Sequence, residues 1–333
     1  MDRERRPLLG SAPMPISRRC LLFAPTALAA PAALAQGAWP QRPLRVIVPY
    51  AAGGPSDIVA RLLTPGLAAA LGQPVVVDNR PGAGSMLGTE AAARAADGHT
   101  VLLADSPFTI IPAVQERVPY DAAADLAPVT LIGAVTMILA VNSGFPARSA
   151  SALAEAAKSR PDTVSFGSSG IGSLSHLLPE WFGQLTGARF ANVAYRGAGP
   201  ALQDVAAGQI NAIFSSPASI EGPLRAGQVT PIAVAAPQRL PAMSEVPTLL
   251  EGGIDLIADN WFGVLAPASV PVEARARLAA ALSEVIASED VRARLTTLGL
   301  EPRPAGPEAF ARVLDAEFRR WASVARAAGV SVR

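Results

Sequence analysis

Four short segments hold the residues best suited to chemistry: Tyr50-Ala-Ala-Gly-Gly-Pro-Ser-Asp57, Pro81-Gly-Ala-Gly-Ser85, Gly167-Ser-Ser-Gly-Ile-Gly-Ser173 and Tyr195-Arg-Gly-Ala-Gly-Pro200. Each is built largely of glycines, serines and other small residues, and each runs into a helical pattern. A helix start exposes unpaired N–H groups and carries partial positive charge. Glycine lets a ligand approach that backbone and serine adds hydroxyl donors, so together they suit an anion. Capping and tight turning explain any one segment taken alone. Four in parallel positions favour a carboxylate cradle.

Other chemistries lack their parts. Gly82-Ala-Gly84-Ser-Met-Leu-Gly88 nearly matches a dinucleotide fingerprint, but its third glycine is one position late. There is no P-loop Gly-Lys-Ser/Thr, and Lys158, the single lysine, sits in a helical pattern. Gly167-Ser-Ser-Gly-Ile171 misses the serine-hydrolase elbow at its closing glycine. His176 follows Ser173 and Ser175 on one helix, which does not make a triad with Ser169 or Ser173; His99, after Asp97-Gly98, reads as a turn residue. The chain is expected to have no catalytic residues, no metal site and no cofactor.

The elements that must position these segments alternate. Strands are expected at 44–48, 75–78 and 100–104, with helices between them and a break or kink at Pro65. The pattern resumes with strands at 137–141, 163–166, 190–194, 209–214 and 230–235, and helices at 149–158, 173–186, 199–207 and 217–226. Ser149 suits an N-cap and Pro200 a first turn. Two stripes close the chain, Leu278, Ala281, Leu282, Val285, Ile286 and then Phe310, Val313, Leu314, Phe318, Trp321, Val324; both read as packing faces. This order predicts an α/β protein of two domains, each a mainly parallel sheet flanked by helices, with chain crossings near Val135 and Asn260. Residues 36–135 and 261–333 would form the first domain and 136–260 the second. Ligands in such sheets bind beyond the carboxyl ends of strands, which puts the site in the crevice between domains.

Residues 1–35 read as an export signal: Ser17-Arg-Arg19, an apolar run from Cys20, and an Ala33-Leu-Ala35 cleavage site. The arginine pair resembles a twin-arginine signal, and a general-secretion signal carrying two arginines fits as well. Residues 1–13 read as an upstream extension, with Met14 as the natural start. Cleavage after Ala35 would remove five arginines and two acids, taking the formal charge from +1 to −2. It would also remove Cys20, the one cysteine, so disulfides and thiol chemistry are not expected in the mature chain. Absence of basic runs gives no reason to expect nucleic-acid binding. A soluble, periplasmic, monomeric protein is expected.

Further stretches complete a pattern: Trp39-Pro-Gln-Arg-Pro-Leu-Arg-Val-Ile-Val-Pro49, Ser56-Asp-Ile-Val-Ala-Arg61, Leu71-Gly-Gln-Pro-Val-Val-Val77, Asn79-Arg-Pro-Gly-Ala-Gly84, Pro119-Tyr-Asp121, Ala127-Pro-Val-Thr130, Pro247-Thr248 and Trp261-Phe-Gly263. In this order and spacing the chain resembles the substrate-binding proteins of tripartite tricarboxylate transporters, the Bordetella uptake gene family. The resemblance covers essentially all of residues 39–331. It implies a type II-like periplasmic binding protein that closes around a small organic acid and delivers it to membrane permease subunits. Presentation of the loaded form to a sensor kinase is the alternative. The resemblance also implies that one ligand carboxylate is held by backbone groups and waters. The residues carried over are Ala52, Gly53, Gly54, Ser56 and Asp57, then Gly84 and Ser85, then Ser168, Ser169 and Ser173, and finally Tyr195 and Ala198. This chain departs from the family pattern at Ser215, where many relatives have an acid, and at Asp105-Ser106-Pro107-Phe108. Ser106, Phe108 and Ser215 are therefore added to the candidate site. Phe108 either narrows the pocket or packs in the core.

Overall fold

A computed structural model describes residues 39–331, so the export segment, the candidate start Met14 and Cys20 lie outside the described residues. The first elements are β1 (Leu44–Val48), α1 (Pro55–Leu71), β2 (Val75–Asn79), α2 (Met86–Ala93), β3 (Thr100–Asp105), α3 (Pro107–Val114) and β4 (Leu126–Thr136). A second group follows: β5 (Ile138–Asn142), α4 (Ala150–Ser159), β6 (Ser165–Ser168), α5 (Leu174–Thr186), β7 (Ala191–Ala194), α6 (Ala198–Ala206), β8 (Ala212–Ser215), α7 (Pro217–Arg225) and β9 (Val229–Val234). The chain ends with β10 (Asp259–Pro267), α8 (Val272–Ala287), α9 (Glu289–Thr297), β11 (Glu301–Ala305) and α10 (Pro307–Ala328).

Two sheets result, ordered β11-β4-β10-β3-β1-β2 and β7-β6-β8-β5-β9. Both are mixed rather than mainly parallel. β1 runs parallel to β2 and β3, whereas β10 is antiparallel to β3 and β4, and β4 to β11. In the second sheet β6 is parallel to β7 and β8, and β5 is antiparallel to β8 and β9. β4, β5 and β10, the strands next to the crossings where the chain leaves one sheet and returns, are antiparallel to each of their neighbours. The sheet changes between Thr136 and Ile138, and again between Ala258, whose N–H bonds to Ala235 in the second half, and Asp259 of β10.

Strand alternation splits each sheet's apolar side chains between two faces. Val46, Val48, Val101 and Leu103 meet the buried sides of α1 and α8, while Ile47, Leu102 and Ala104 meet Phe108 and Phe310 on the other side. In the second sheet Leu139, Phe166 and Phe214 pack with α4 and α5, and Ile138, Ala140 and Ile213 pack with α6 and α7. The final helix joins both halves: Phe310 and Leu314 pack under the first sheet, Trp321 and Val324 under the second.

α1 continues through Pro65, so the helix does not break there. Proline removes the N–H that would reach the Arg61 carbonyl. The Thr64 hydroxyl donates to that carbonyl instead, at 3.1 Å. Strands β4 and β10 were not anticipated at all, because Pro128, Gly133, Gly263 and Pro267 punctuate them. Gly263 is required by packing: an added Cβ would collide with the Phe310 ring. Gly263→Val should therefore cost about 1–3 kcal/mol of stability. It is measured as a lowered urea midpoint at unchanged slope; an unshifted midpoint would show that the ring gives way freely.

Candidate ligand-binding site

The carboxyl ends of β1, β2 and β3 carry the first group of candidates. Gly54 caps α1, Pro55 occupies its first turn, and Ile58 N–H closes onto Gly54 O at 3.0 Å. Asp57 is buried at 3 % exposure, and its Oδ2 accepts from Gly53 N–H at 2.9 Å. Arg61 donates to both oxygens of the same carboxylate, which holds Asp57 down at about 2 and charged. Gly53 N–H and Asp57 are thus engaged with each other and with Arg61, and they shape the loop. The N–H groups of Ser56 and Asp57, with no bond among the described residues, keep the orphan status of a helix start. Ala52 and Gly53 are exposed, and Ser56 is buried.

The second loop is strained. Gly82, Ala83, Gly84 and Ser85 all have positive φ, at 137°, 48°, 67° and 97°. Two of these are not glycine, and such residues in sparsely allowed regions cost roughly 1–3 kcal/mol each. Ser85 N–H bonds back to Gly82 O at 3.2 Å. Its hydroxyl is 3 % exposed as part of the residue and has no hydrogen-bond partner. Strain and an unsatisfied hydroxyl at one residue mark a place organised for something other than stability.

At the end of β3, Asp105 accepts from the Tyr50 hydroxyl at 2.6 Å. Burial pushes its carboxyl up to about 7 against the pull of Tyr50 and Ser56, and burial likewise raises Tyr50 well above the usual phenol range. Asp105 was noted in the sequence as a departure but not placed among the candidates; an acid at a strand's carboxyl end in this loop set was the available signal. Its neighbour Ser106 is fully buried and faces the crossing. It accepts from Trp261 N–H at 3.1 Å and donates to Asp259 O at 3.2 Å. Phe108 is 2 % exposed, packed against Trp261 and Phe318. Of its two readings the core one holds, because the apolar ring is enclosed by aromatic neighbours, so Phe108 is removed from the ligand-lining set.

The second sheet brings Ser168, Ser169 and Ser173 together. Ser168 is fully buried. Ser169 N–H and hydroxyl both meet Ser175 Oγ at 2.9 Å, and Ser173 caps α5 by accepting from His176 N–H at 3.2 Å. His176 Nδ1 has no partner, so no serine–histidine pair forms, and burial lowers the ring below its usual value. Tyr195 donates to Asp204 at 2.5 Å, which pins the fourth loop to α6, and Ala198 opens that helix, exposed. Ser215 ends β8, buried and paired with Ile138. The loops of the two halves converge on α3. An added Cβ at Gly84 would lie 3.3 Å from Ile111 Cδ1, and one at Gly172 would lie 3.4 Å from the same atom. Among the described residues no group of three His, Cys, Asp or Glu could hold a metal.

Two outcomes follow from these environments. Between pH 4 and 7 the folded chain keeps the Asp105 proton that the unfolded chain has lost. Stability therefore falls as pH rises through that window, by as much as about 4 kcal/mol. Asp105→Asn should flatten this slope and be the more stable form at pH 8, as read by urea titrations at pH 4.5 and 8. Ser85→Gly removes both a strained φ and a buried unpaired hydroxyl, and should raise stability by about 1 kcal/mol in the same assay.

The sequence profile described as the tripartite tricarboxylate transporter family receptor matches residues 59–330. Protein BugT of Bordetella pertussis (strain Tohama I) is 35 % identical over 318 residues, covering 94 % of this chain and 97 % of its own. The periplasmic binding protein BugD superposes with a TM-score of 0.74 at 31 % identity, over 89 % of this chain and all of that one. R. palustris Rpa4515, solved with adipate, gives 0.75 at 32 % identity, over 88 % of this chain and 99 % of that one. Profile, sequence and fold agree along nearly the whole described chain, and it belongs to the tripartite tricarboxylate transporter receptor family of periplasmic solute-binding proteins.

Proposed function

We propose that the chain captures a small carboxylate between the loops at the carboxyl edges of its two sheets and delivers it to the permease subunits of a tripartite tricarboxylate-type transporter. One observation carries the reading: the strained second loop and the third loop, from different sheets, meet on Ile111. Around them the starts of α1 and α5 aim orphan N–H groups, so the positive potential comes from backbone and needs no cationic side chain. The adipate held by the related R. palustris protein is a ligand of the same class.

In this reading residues 36–135 with 261–333 form one closing body and residues 136–260 the other, and the protein is an exported monomer without catalytic activity. The two strand crossings, Thr136 to Ile138 and Ala258 to Asp259, are the short connections about which such bodies would rotate. Among the described residues no helix is long and apolar enough to cross a membrane.

The test is calorimetry on purified protein with small mono-, di- and tricarboxylates, paired with small-angle scattering. At least one acid should bind with micromolar or tighter affinity and reduce the radius of gyration. Ser85→Gly, although more stable, should bind that acid at least tenfold more weakly. Failure of every carboxylate to bind would sink the reading. Deleting the gene should abolish uptake of the bound acid; undiminished uptake would sink the transport role alone.

A further inference from the structure

Asp105 stands where the first and second loops meet the end of β3. Tyr50, which opens the first loop, donates to its Oδ1 at 2.6 Å. Ser56, in the first turn of α1, acts on the same carboxyl, and Ser85 lies beside Tyr50. A carboxylate offers about four acceptor positions, and Tyr50, Ser56 and the residue's own backbone N–H act on three of them. Ser85 Oγ, beside this pair, is buried and unpartnered. Polar groups buried short of partners cost free energy, and at a ligand site an incoming donor removes that cost.

The ionic groups on the packed elements are already occupied. Asp57 pairs with Arg61 in α1, Glu90 with Arg94 in α2, and Asp259 of β10 with Arg303. α3, of sequence Pro-Phe-Thr-Ile-Ile-Pro-Ala-Val, has no ionisable side chain, and Tyr120 is held neutral by burial. Nothing cationic from these elements is left to balance a charge on Asp105. Either it stays protonated or the ligand brings the balancing group.

We propose that Asp105 selects, among small carboxylates, those whose second polar group is a hydrogen-bond donor, a hydroxyl or an ammonium, and discriminates against a second carboxylate. The inference rests on the carboxylate reading above. The captured carboxylate goes to the helix-start N–H groups, and the far end of the ligand meets Asp105. A hydroxyl or ammonium completes the acceptor position that Tyr50, Ser56 and the backbone leave open. A second carboxylate meets like charge in a poorly solvated place, and is tolerated only when Asp105 or the ligand takes up a proton.

The test is calorimetry on the full chain at pH 5.5 and 8.5 with butyrate, 4-hydroxybutyrate, 4-aminobutyrate and succinate, and with their six-carbon counterparts up to adipate. At pH 8.5 the hydroxy or amino acid should bind at least tenfold more tightly than the dicarboxylate of equal length, and the gap should narrow at least threefold at pH 5.5. Asp105→Asn should abolish both the gap and its pH dependence, with Asp105→Ser as the second variant should the first fold poorly. Tyr50→Phe, which removes a donor that favours the charged carboxyl, should move the pH at which the gap closes upward. A dicarboxylate bound as tightly as its hydroxy and amino counterparts at pH 8.5, or an unchanged order in a folded Asp105 variant, overturns the role of Asp105 and leaves carboxylate capture standing. Binding of none of the eight acids by the wild-type chain overturns both.

Discussion

The ladder between β4 and β10 is the constraint on which the rest of the molecule depends. It runs from Asp259 opposite Thr136 to Pro267 opposite Leu126, and both strands end at the point where the chain changes sheet. Ser106 fastens this junction with a single hydroxyl that accepts from Trp261 N–H and donates to Asp259 O. One residue earlier Asp105 faces Tyr50. The crossing and the carboxyl edge of the first sheet are therefore adjacent along β3.

Around that junction the chain keeps several polar groups in costly states. Ala83 and Ser85 hold positive φ, Ser85 Oγ lacks a partner, and Asp105 is buried with its carboxyl raised to about 7. These costs are offset by apolar faces elsewhere, where each sheet is covered on both sides by helices. Costs gathered at one edge of a well-packed scaffold are expected of a site that binds. Asp57 does the opposite work. Its pairing with Arg61 and Gly53 N–H lowers its carboxyl to about 2 and ties the first loop to the start of α1.

α10 gives the two halves a second connection. Trp321 donates to Glu317 at 2.7 Å and packs edge-on to Trp181 of α5, over which the Arg320 guanidinium also lies, 4.8 Å from the ring centroid. Gln184 of α5 donates to Val324 O at 2.9 Å. The helix that begins beneath the first sheet thus ends beneath the second.

Residue types and spacing were enough to reveal the α/β alternation, the helix-start loops and the family, because strand period, glycine–serine turns and motif order are local properties. Ser149 as a cap could be read directly in this way, whereas Ser173 also proves to cap α5. What tertiary structure alone decided are the features set by distant partners. β4 and β10 are strands because they pair with each other and with β3, despite glycines and prolines that read as punctuation. α1 survives Pro65 because the Thr64 hydroxyl takes the orphaned carbonyl. Phe108 is core because Trp261 and Phe318, more than 150 residues away, enclose it. Asp105 acquires its character from Tyr50, 55 positions earlier, and from burial beneath loops that meet only in the fold. Composition shows which groups a chain carries, and packing determines which of them are left facing a ligand without a partner.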